Sequence, residues 1–370
     1  MNHDRLLLLG IQSVINLTEK RLQHLLSLYD SISDAVEDHF SKSTQTWAVD
    51  FRQKVIDQKL DIHSVGSNVF EKLESEKINF VTLLDPDYPI IHDRYSSKPL
   101  ILFYKGNREL LEKKSQNEMN IGSVGSRLHS GYIEPAIKQS MKAFSHYSTP
   151  IRIVSGLAYG VDAFSHRYAL ENNLSCVAVI GTSLLEYEHY PKETMNIYHK
   201  ILDMEGLILS SFMPGIVPMK HNFVIRNKLI AFISDALIVF QAGAHSGSML
   251  TAKYTNEFAK PVYVPPGIPY DPHFEGNRML LAQFGKLFLD ANSIMGESPE
   301  NAQYQPVKKE LSLSREEAEV FDRLSFDPVN VEKLVELSKL PLSDLLRVLT
   351  LLEIKELVKN TGSNNWIRTE

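Results

Sequence analysis

Six short apolar runs dominate residues 120–290 of this 370-residue chain, each separated from the next by a stretch long enough for a helix. The runs are Asn120–Val124, Ile151–Ser155, Cys176–Ile180, Gly206–Leu209, Ala236–Phe240 and Pro261–Val264, and several are apolar at successive positions. Strands covered on both faces read this way. The intervening stretches Pro135–Tyr147, Asp162–Asn172, Met195–Asp203, Arg226–Ile233 and Ser248–Ala259 are predicted crossover helices. Such an alternation restricts the segment to a doubly wound α/β sheet with helices on both faces. Gly/Ser clusters follow four of the strands, so they are expected along one sheet edge, offering backbone N–H groups to an anion.

The flanks read differently. Residues 1–75 have apolar positions at helical spacing (Leu22, Leu25, Leu26, Tyr29) and are expected to form a helical domain of the SAM or helix-hairpin-helix kind. The α/β domain is placed at 76–295, opening on the turn Asp85–Pro89 and a strand that ends at Gly106. A polar linker is placed at 296–310, with Pro299 and Pro306. Residues 311–370 then give helices Ser314–Leu324, Asn330–Ser338 and Pro341–Glu353 before a hairpin, a winged-helix-like pattern. No apolar run is long enough to span a membrane, and Leu6–Leu9 is too short for a signal sequence, so a cytoplasmic protein without a membrane span is expected. The lone Cys176 has no disulfide partner in the chain. Net charge −6 gives no global attraction to nucleic acid, so any such binding must rest on a local patch.

The loops supply candidates for that patch. Gly122–Arg127 lacks the G-x-G-x-x-G order, and no Gly-Lys-Ser/Thr occurs, so a dinucleotide or Walker-type site is not supported. Ser126 and Arg127 remain as phosphate-gripping groups. Ser155 and Gly156 open a loop leading to Asp162, read either as a helix cap or as a cleft residue, with His166 one turn on as a potential partner. Lys192 is exposed by a Tyr190-Pro191 turn. A long loop, Met213–Phe223, is expected before Arg226, Asn227 and Lys228, interleaving cations with Phe223 as a single-stranded nucleic acid site requires, although Phe223 would serve equally as core. Ser246, Gly247, Ser248, Thr251 and Lys253 place hydroxyls, amides and a charge at a helix start.

Taken in order, Val-Gly-Ser-Arg, Ser-Gly-Leu-Ala-x-Gly-Val-Asp, Tyr-Pro-Lys, Phe-x-x-Arg-Asn-x-x-Ile-Ala, Ser-Gly-Ser-x-x-Thr-Ala and Pro-Val-Tyr-Val-Pro-Pro-Gly resemble the DNA-processing protein A family (DprA, also called Smf) over about residues 80–290. The resemblance implies an extended Rossmann-like, mostly parallel sheet that binds single-stranded DNA without catalysis, metal or cofactor. It also implies a homodimer, and delivery of DNA to RecA recombinase during natural transformation. Carried over by position, the DNA-binding residues are Ser126, Arg127, Ser155, Gly156, Lys192, Phe223, Arg226, Asn227, Ser246, Gly247, Ser248 and Thr251, with Lys228 and Lys253 beside them. Three departures stand out: Lys228 where the family commonly has arginine, Ser211 where a glutamate is usual, and Ile133 after Tyr132 where a glycine commonly follows, which suggests a modified helix start. A related fold, the nucleoside-monophosphate phosphoribohydrolases, needs a glutamate where this chain has Thr251, which argues against hydrolysis. A dimer surface is expected around Met279, Leu280, Leu281 and Phe284. The C-terminal module carries eight Lys/Arg against eleven Asp/Glu, so protein contact suits it better than DNA reading.

Overall fold

The computed structural model describes residues 3–89, 98–112, 118–128, 130–215, 219–296, 313–355 and 357–369; nearly all of the expected linker lies outside them. Nine strands form one sheet: β1 Asn79–Thr82, β2 Ile101–Gly106, β3 Met119–Val124, β4 Ile151–Ser155, β5 Ser175–Val179, β6 Leu207–Ser210, β7 Ala236–Val239, β8 Val262–Val264 and β9 Lys286–Leu287. Their order is β1-β2-β6-β5-β4-β3-β7-β8-β9, parallel from β6 to β9, with β1 and β2 added antiparallel at one edge. This is the extended, mostly parallel, doubly wound sheet expected from the sequence.

Both sheet faces are buried, and the strand sequences show why. Ile153, Cys176 and Ala178 enter one core while their neighbours Val154, Val177 and Val179 enter the other. In the first core the strands meet α7 (Ile133–Phe144), α8 (Val161–Glu171) and α9 (Met195–Asp203); in the second they meet α10 (Lys220–Ile233), α11 (Gly247–Glu257) and α12 (Glu275–Gln283). The strand order therefore reverses between β3 and β7, and there the carboxyl ends open a crevice in which open α/β sheets bind ligands. Cys176 is buried, which pushes its thiol well up from the ordinary range.

One expectation needs correction. The loop predicted through Phe223 ends at Met219, and α10 starts at Lys220, six residues before the expected Arg226. Prolines 214 and 218 stop short of it, so nothing in 220–226 opposes a helix. Phe223, Arg226 and Asn227 thus share one helical face at three- and four-residue spacing.

Ahead of the sheet come α1 His3–Val14, α2 Glu19–Leu28, the single turns α3 Ile32–Asp34 and α4 Phe40–Lys42, α5 Thr46–Asp57 and α6 Ile62–Ser75. Their core is continuous with the first sheet core: Leu8, Leu9 and Ile11 belong to the same cluster as Phe80 and Phe103. Polar contacts reinforce the join. Arg5 donates to the Phe80 carbonyl (3.0 Å) and lies 3.5 Å from the Asp85 carboxylate, and the Lys98 amide donates to Glu19 (2.7 Å).

After α13 (Asn292–Met295), the C-terminal module packs α14 (Arg315–Arg323), α15 (Val331–Ser338) and α16 (Leu342–Ile354) around Val320, Leu334, Leu345 and Leu349. Its small sheet runs β10 (Val329–Asn330), β12 (Asn365–Arg368), β11 (Val358–Gly362), with Trp366 of the wing in that core. Ser314 and Glu317 form a reciprocal capping box that fixes the start of α14. Among the described residues, no helix is long and apolar enough to cross a membrane, and no cluster of His, Cys, Asp or Glu could hold a metal.

Candidate nucleic-acid interface

Three strand-end loops interlock at the crevice. The Ser126 amide donates to the Gln241 carbonyl (2.8 Å), and the Ser130 amide to the Gln241 side chain (3.1 Å), so the loop after β3 is fastened to the loop after β7. The loop after β4 closes onto the same segment. Gly160 has φ +74°, and a Cβ there would stand 2.5 Å from the Ser126 carbonyl oxygen, so only glycine fits both the backbone and the space.

Phe223 lies at the centre of the resulting cleft, half-buried against Gly181. The Arg127 guanidinium carbon is 5.4 Å from the ring centroid and that of Arg226 is 5.9 Å away, while Tyr190 meets the ring edge-on at 6.3 Å. The two arginines differ in kind. Arg127 is exposed at the loop tip, whereas Arg226 is only 4% exposed and donates from Nη1 to the Val179 carbonyl (3.0 Å). Its Nη1 also lies 3.8 Å from the Asp162 carboxylate. Gly156 makes this possible, since a Cβ at that position would sit 1.5 Å from Nη1.

Asp162 makes no cap on α8, whose N-cap residue is Gly160, and instead lies buried beside Arg226 under the cleft. Burial raises its carboxyl above the ordinary carboxylate range, opposed by Arg226, by the amides of Ala158 and Gly156, and by Arg127. Burial likewise pulls the Arg226 pKa down, with Asp162 opposing, yet a guanidinium remains charged near neutrality. His166 makes no hydrogen bond to Asp162, and burial pushes its pKa down to about 4, so it is a neutral core residue.

The remaining candidates divide into rim, wall and interior. Lys192 is exposed on the rim, its ammonium donating to the carbonyls of Glu186 (3.2 Å) and Tyr187 (2.7 Å). Ser246 caps α11 and contacts the Ser248 hydroxyl (2.8 Å), while Asn227 crosses from α10 to the Gly247 carbonyl (3.3 Å). Lys253 is exposed one turn farther, 4.0 Å from Glu257. Ser155 is wholly buried and donates to the Ser123 carbonyl, and Thr251 is also wholly buried with an unpartnered hydroxyl. Lys228 points away from the cleft, over the Tyr254 ring at 5.9 Å. Sequence reasoning missed Gln241, which ties two loops together; a polar residue directly after an apolar strand was its only signal.

Two family models match the chain: DNA recombination-mediator protein A over residues 79–299, and the DprA winged helix domain over 305–362. The chain is 32% identical to protein Smf of Synechocystis over 243 residues, 66% of this chain and 59% of that protein. It is 33% identical to the DNA processing protein DprA of Streptococcus pneumoniae, over 60% of this chain and 76% of that one. The crystal structure of the S. pneumoniae protein superposes with a TM-score of 0.64 and 26% identity, covering 80% of this chain and 98% of that one. A structure of the Helicobacter pylori DNA processing protein A, which has a single-stranded DNA binding mode, matches at TM-score 0.50 and 25% identity, over 59% of this chain and 94% of that one.

Proposed function

Because the chain belongs to the DNA recombination-mediator protein A family, we propose that it binds single-stranded DNA across the carboxyl ends of the parallel strands, protects it, and delivers it to RecA recombinase during DNA uptake. The observation that carries this reading is the Arg127–Phe223–Arg226 stack over the carboxyl ends of β3, β4 and β5. Arg226 is buried beside the half-buried ring, whereas the exposed Arg127 can turn from the ring to a phosphate, which it meets as a fork, and so yield its place on Phe223 to a base. The start of α11, with Gly247 between the bonded Ser246 and Ser248 hydroxyls, extends the rim on the positive end of that helix.

The proposed role is binding without catalysis. Asp162 is occupied by Arg226 and two amides, and at the position where a phosphoribohydrolase would place its glutamate stands the buried Thr251. The proposed assembly is a homodimer using the outer face of α12. Leu280 is core there, but Met279 is 40% exposed, and Leu287 and Leu289 beside it are 47% and 71% exposed.

A salt titration on labelled single strands tests the site. Three exposed cations, Arg127, Lys192 and Lys253, give a log–log slope of about −2 at roughly −0.7 per neutralised phosphate. Arg127→Ala should bind more weakly and flatten the slope by about 0.7. Equal affinity with an unchanged slope would remove Arg127 from the interface, and the proposed cleft with it.

A further inference from the structure

The C-terminal module touches the α/β domain beside the loop that carries Arg127. Phe326, in the turn between α14 and β10, reaches across. Its ring meets Tyr132 edge-on at 6.3 Å, and its carbonyl oxygen lies so close to Gly131 that a Cβ there would stand 2.4 Å from it. Phe326 is half-buried, yet it takes no part in the module's own core of Val320, Leu334, Leu345 and Leu349. The turn that presents it is braced: the Ser325 hydroxyl donates to the Asp327 carbonyl (3.1 Å), and the Arg368 amide of β12 to the Ser325 carbonyl (2.8 Å). A ring that its own module does not bury gains its burial from the surface it reaches. That surface is the remainder of the sheet edge. Phe240, Pro265 and Phe288 directly follow β7, β8 and β9, and with Tyr132 they line the seat of Phe326. A cavity of about 320 Å³ remains there beside the ring, so the fit is loose and release forfeits few packing contacts.

We propose, resting on the DNA-binding role above, that the winged helix is a reversible cap on the DNA track: docked, it closes the sheet edge beyond β3, and it comes off when a long oligonucleotide runs past. The cleft at Phe223 occupies the carboxyl ends of β3, β4 and β5. The edge continues through β7, β8 and β9, which at about 4.8 Å per strand adds roughly 14 Å. An oligonucleotide of a few residues is held in the cleft without reaching Phe326. A longer one meets the docked module, where eleven Asp/Glu against eight Lys/Arg oppose a polyanion at contact range. DNA and module then exclude each other, and each weakens the other's hold by the same factor.

Anisotropy titrations with labelled (dT)6 and (dT)20, and hydrogen exchange read at 130–135 and 322–330, test the cap on the full chain. Phe326→Ala removes the ring. Gly131→Ala pushes the module off from the other side, since apart from chain neighbours only Phe326 atoms lie within 4 Å of a Cβ there. Both variants should exchange faster at the two segments while the module core stays protected. Both should bind (dT)20 about threefold or more tighter than wild type, because apparent affinity scales with the fraction of chains whose track is open, and should bind (dT)6 as wild type does. In wild type, saturating (dT)20 should raise exchange at 322–330, and (dT)6 should not. Unchanged or weaker (dT)20 binding in the freed variants, an equal gain for (dT)6, a 322–330 segment still protected under saturating (dT)20, or exchange unaltered in both variants would each overturn the proposal. With Arg127→Ala impaired in binding, any of these results strikes the cap alone. Arg127→Ala binding both oligonucleotides as wild type does would strike the DNA reading, and the cap with it.

Discussion

Replacing Arg226 by methionine keeps most of the side-chain volume and removes the cation 3.8 Å from the buried Asp162 carboxylate. Breaking a buried pair by deleting one partner costs about 3–5 kcal/mol, because the remaining charge is stranded. The Val179 carbonyl loses its donor in the same step. For a domain of this size each 1 kcal/mol lowers Tm by about 2–4 °C, so the α/β transition should fall by roughly 6–20 °C near pH 7.5. The pH dependence carries the diagnosis. The Asp162 pKa is raised in the folded protein, so the protonated form is favoured by folding and stability is lost as pH rises through that folded value. Without Arg226 the folded pKa rises further, so the gap between variant and wild type should open as pH climbs through the raised folded value of the wild type and close below it. Adding Asp162→Asn to Arg226→Met should recover much of the loss at neutral pH. Thermal melts of the three proteins between pH 4.5 and 7.5 read this out. A variant within 2 °C of wild type, or a gap that ignores pH, would refute the view that Arg226 holds an ionised Asp162.

Phe223→Ala should weaken single-stranded DNA binding by about 1–3 kcal/mol with little sequence preference, measured by fluorescence anisotropy on oligothymidine. Gly160→Ala should lower thermal stability by more than about 1 kcal/mol, since it adds a clash with the Ser126 carbonyl to an unfavourable positive φ. Met279→Lys should shift sedimentation from dimer to monomer and leave Tm within a few degrees, whereas Leu280→Ala should cost about 2–5 kcal/mol through a core cavity.

The doubly wound sheet was legible because its signal is redundant: six apolar runs, each covered on both faces, alternate with helix-length stretches. The winged helix was legible for a similar reason, three amphipathic helices before a hairpin. Side-chain placement was less so. Phe223, Arg226 and Lys228 are neighbours in sequence, yet a helix starting at Lys220 turns the first two into the cleft and the third out of it. Reading 220–223 as loop hid that division. Serine and threonine motifs also misled by type: Ser155 and Thr251 are wholly buried, one bonded to the neighbouring strand and the other without a partner. Two of the departures from the family pattern, Ser211 and Lys228, acquire a common location only in three dimensions, where both line one cavity beside α10.

A chain of net charge −6 can hold a polyanion because charge acts locally. At physiological salt the Debye length is about 8 Å, so acidic residues on the winged helix and the helical bundle are screened from a phosphate in the cleft. Arg226 contributes little long-range attraction either, since Asp162 offsets its charge at 3.8 Å. Its work is positional: anchored to the Val179 carbonyl, it supports one side of Phe223, while Arg127 stays exposed. In the proposed binding mode attraction is left to a few rim cations, and stacking on Phe223 would supply much of the affinity. Such a cleft suits bases that are already unpaired, because the faces of paired bases are buried within a duplex stack.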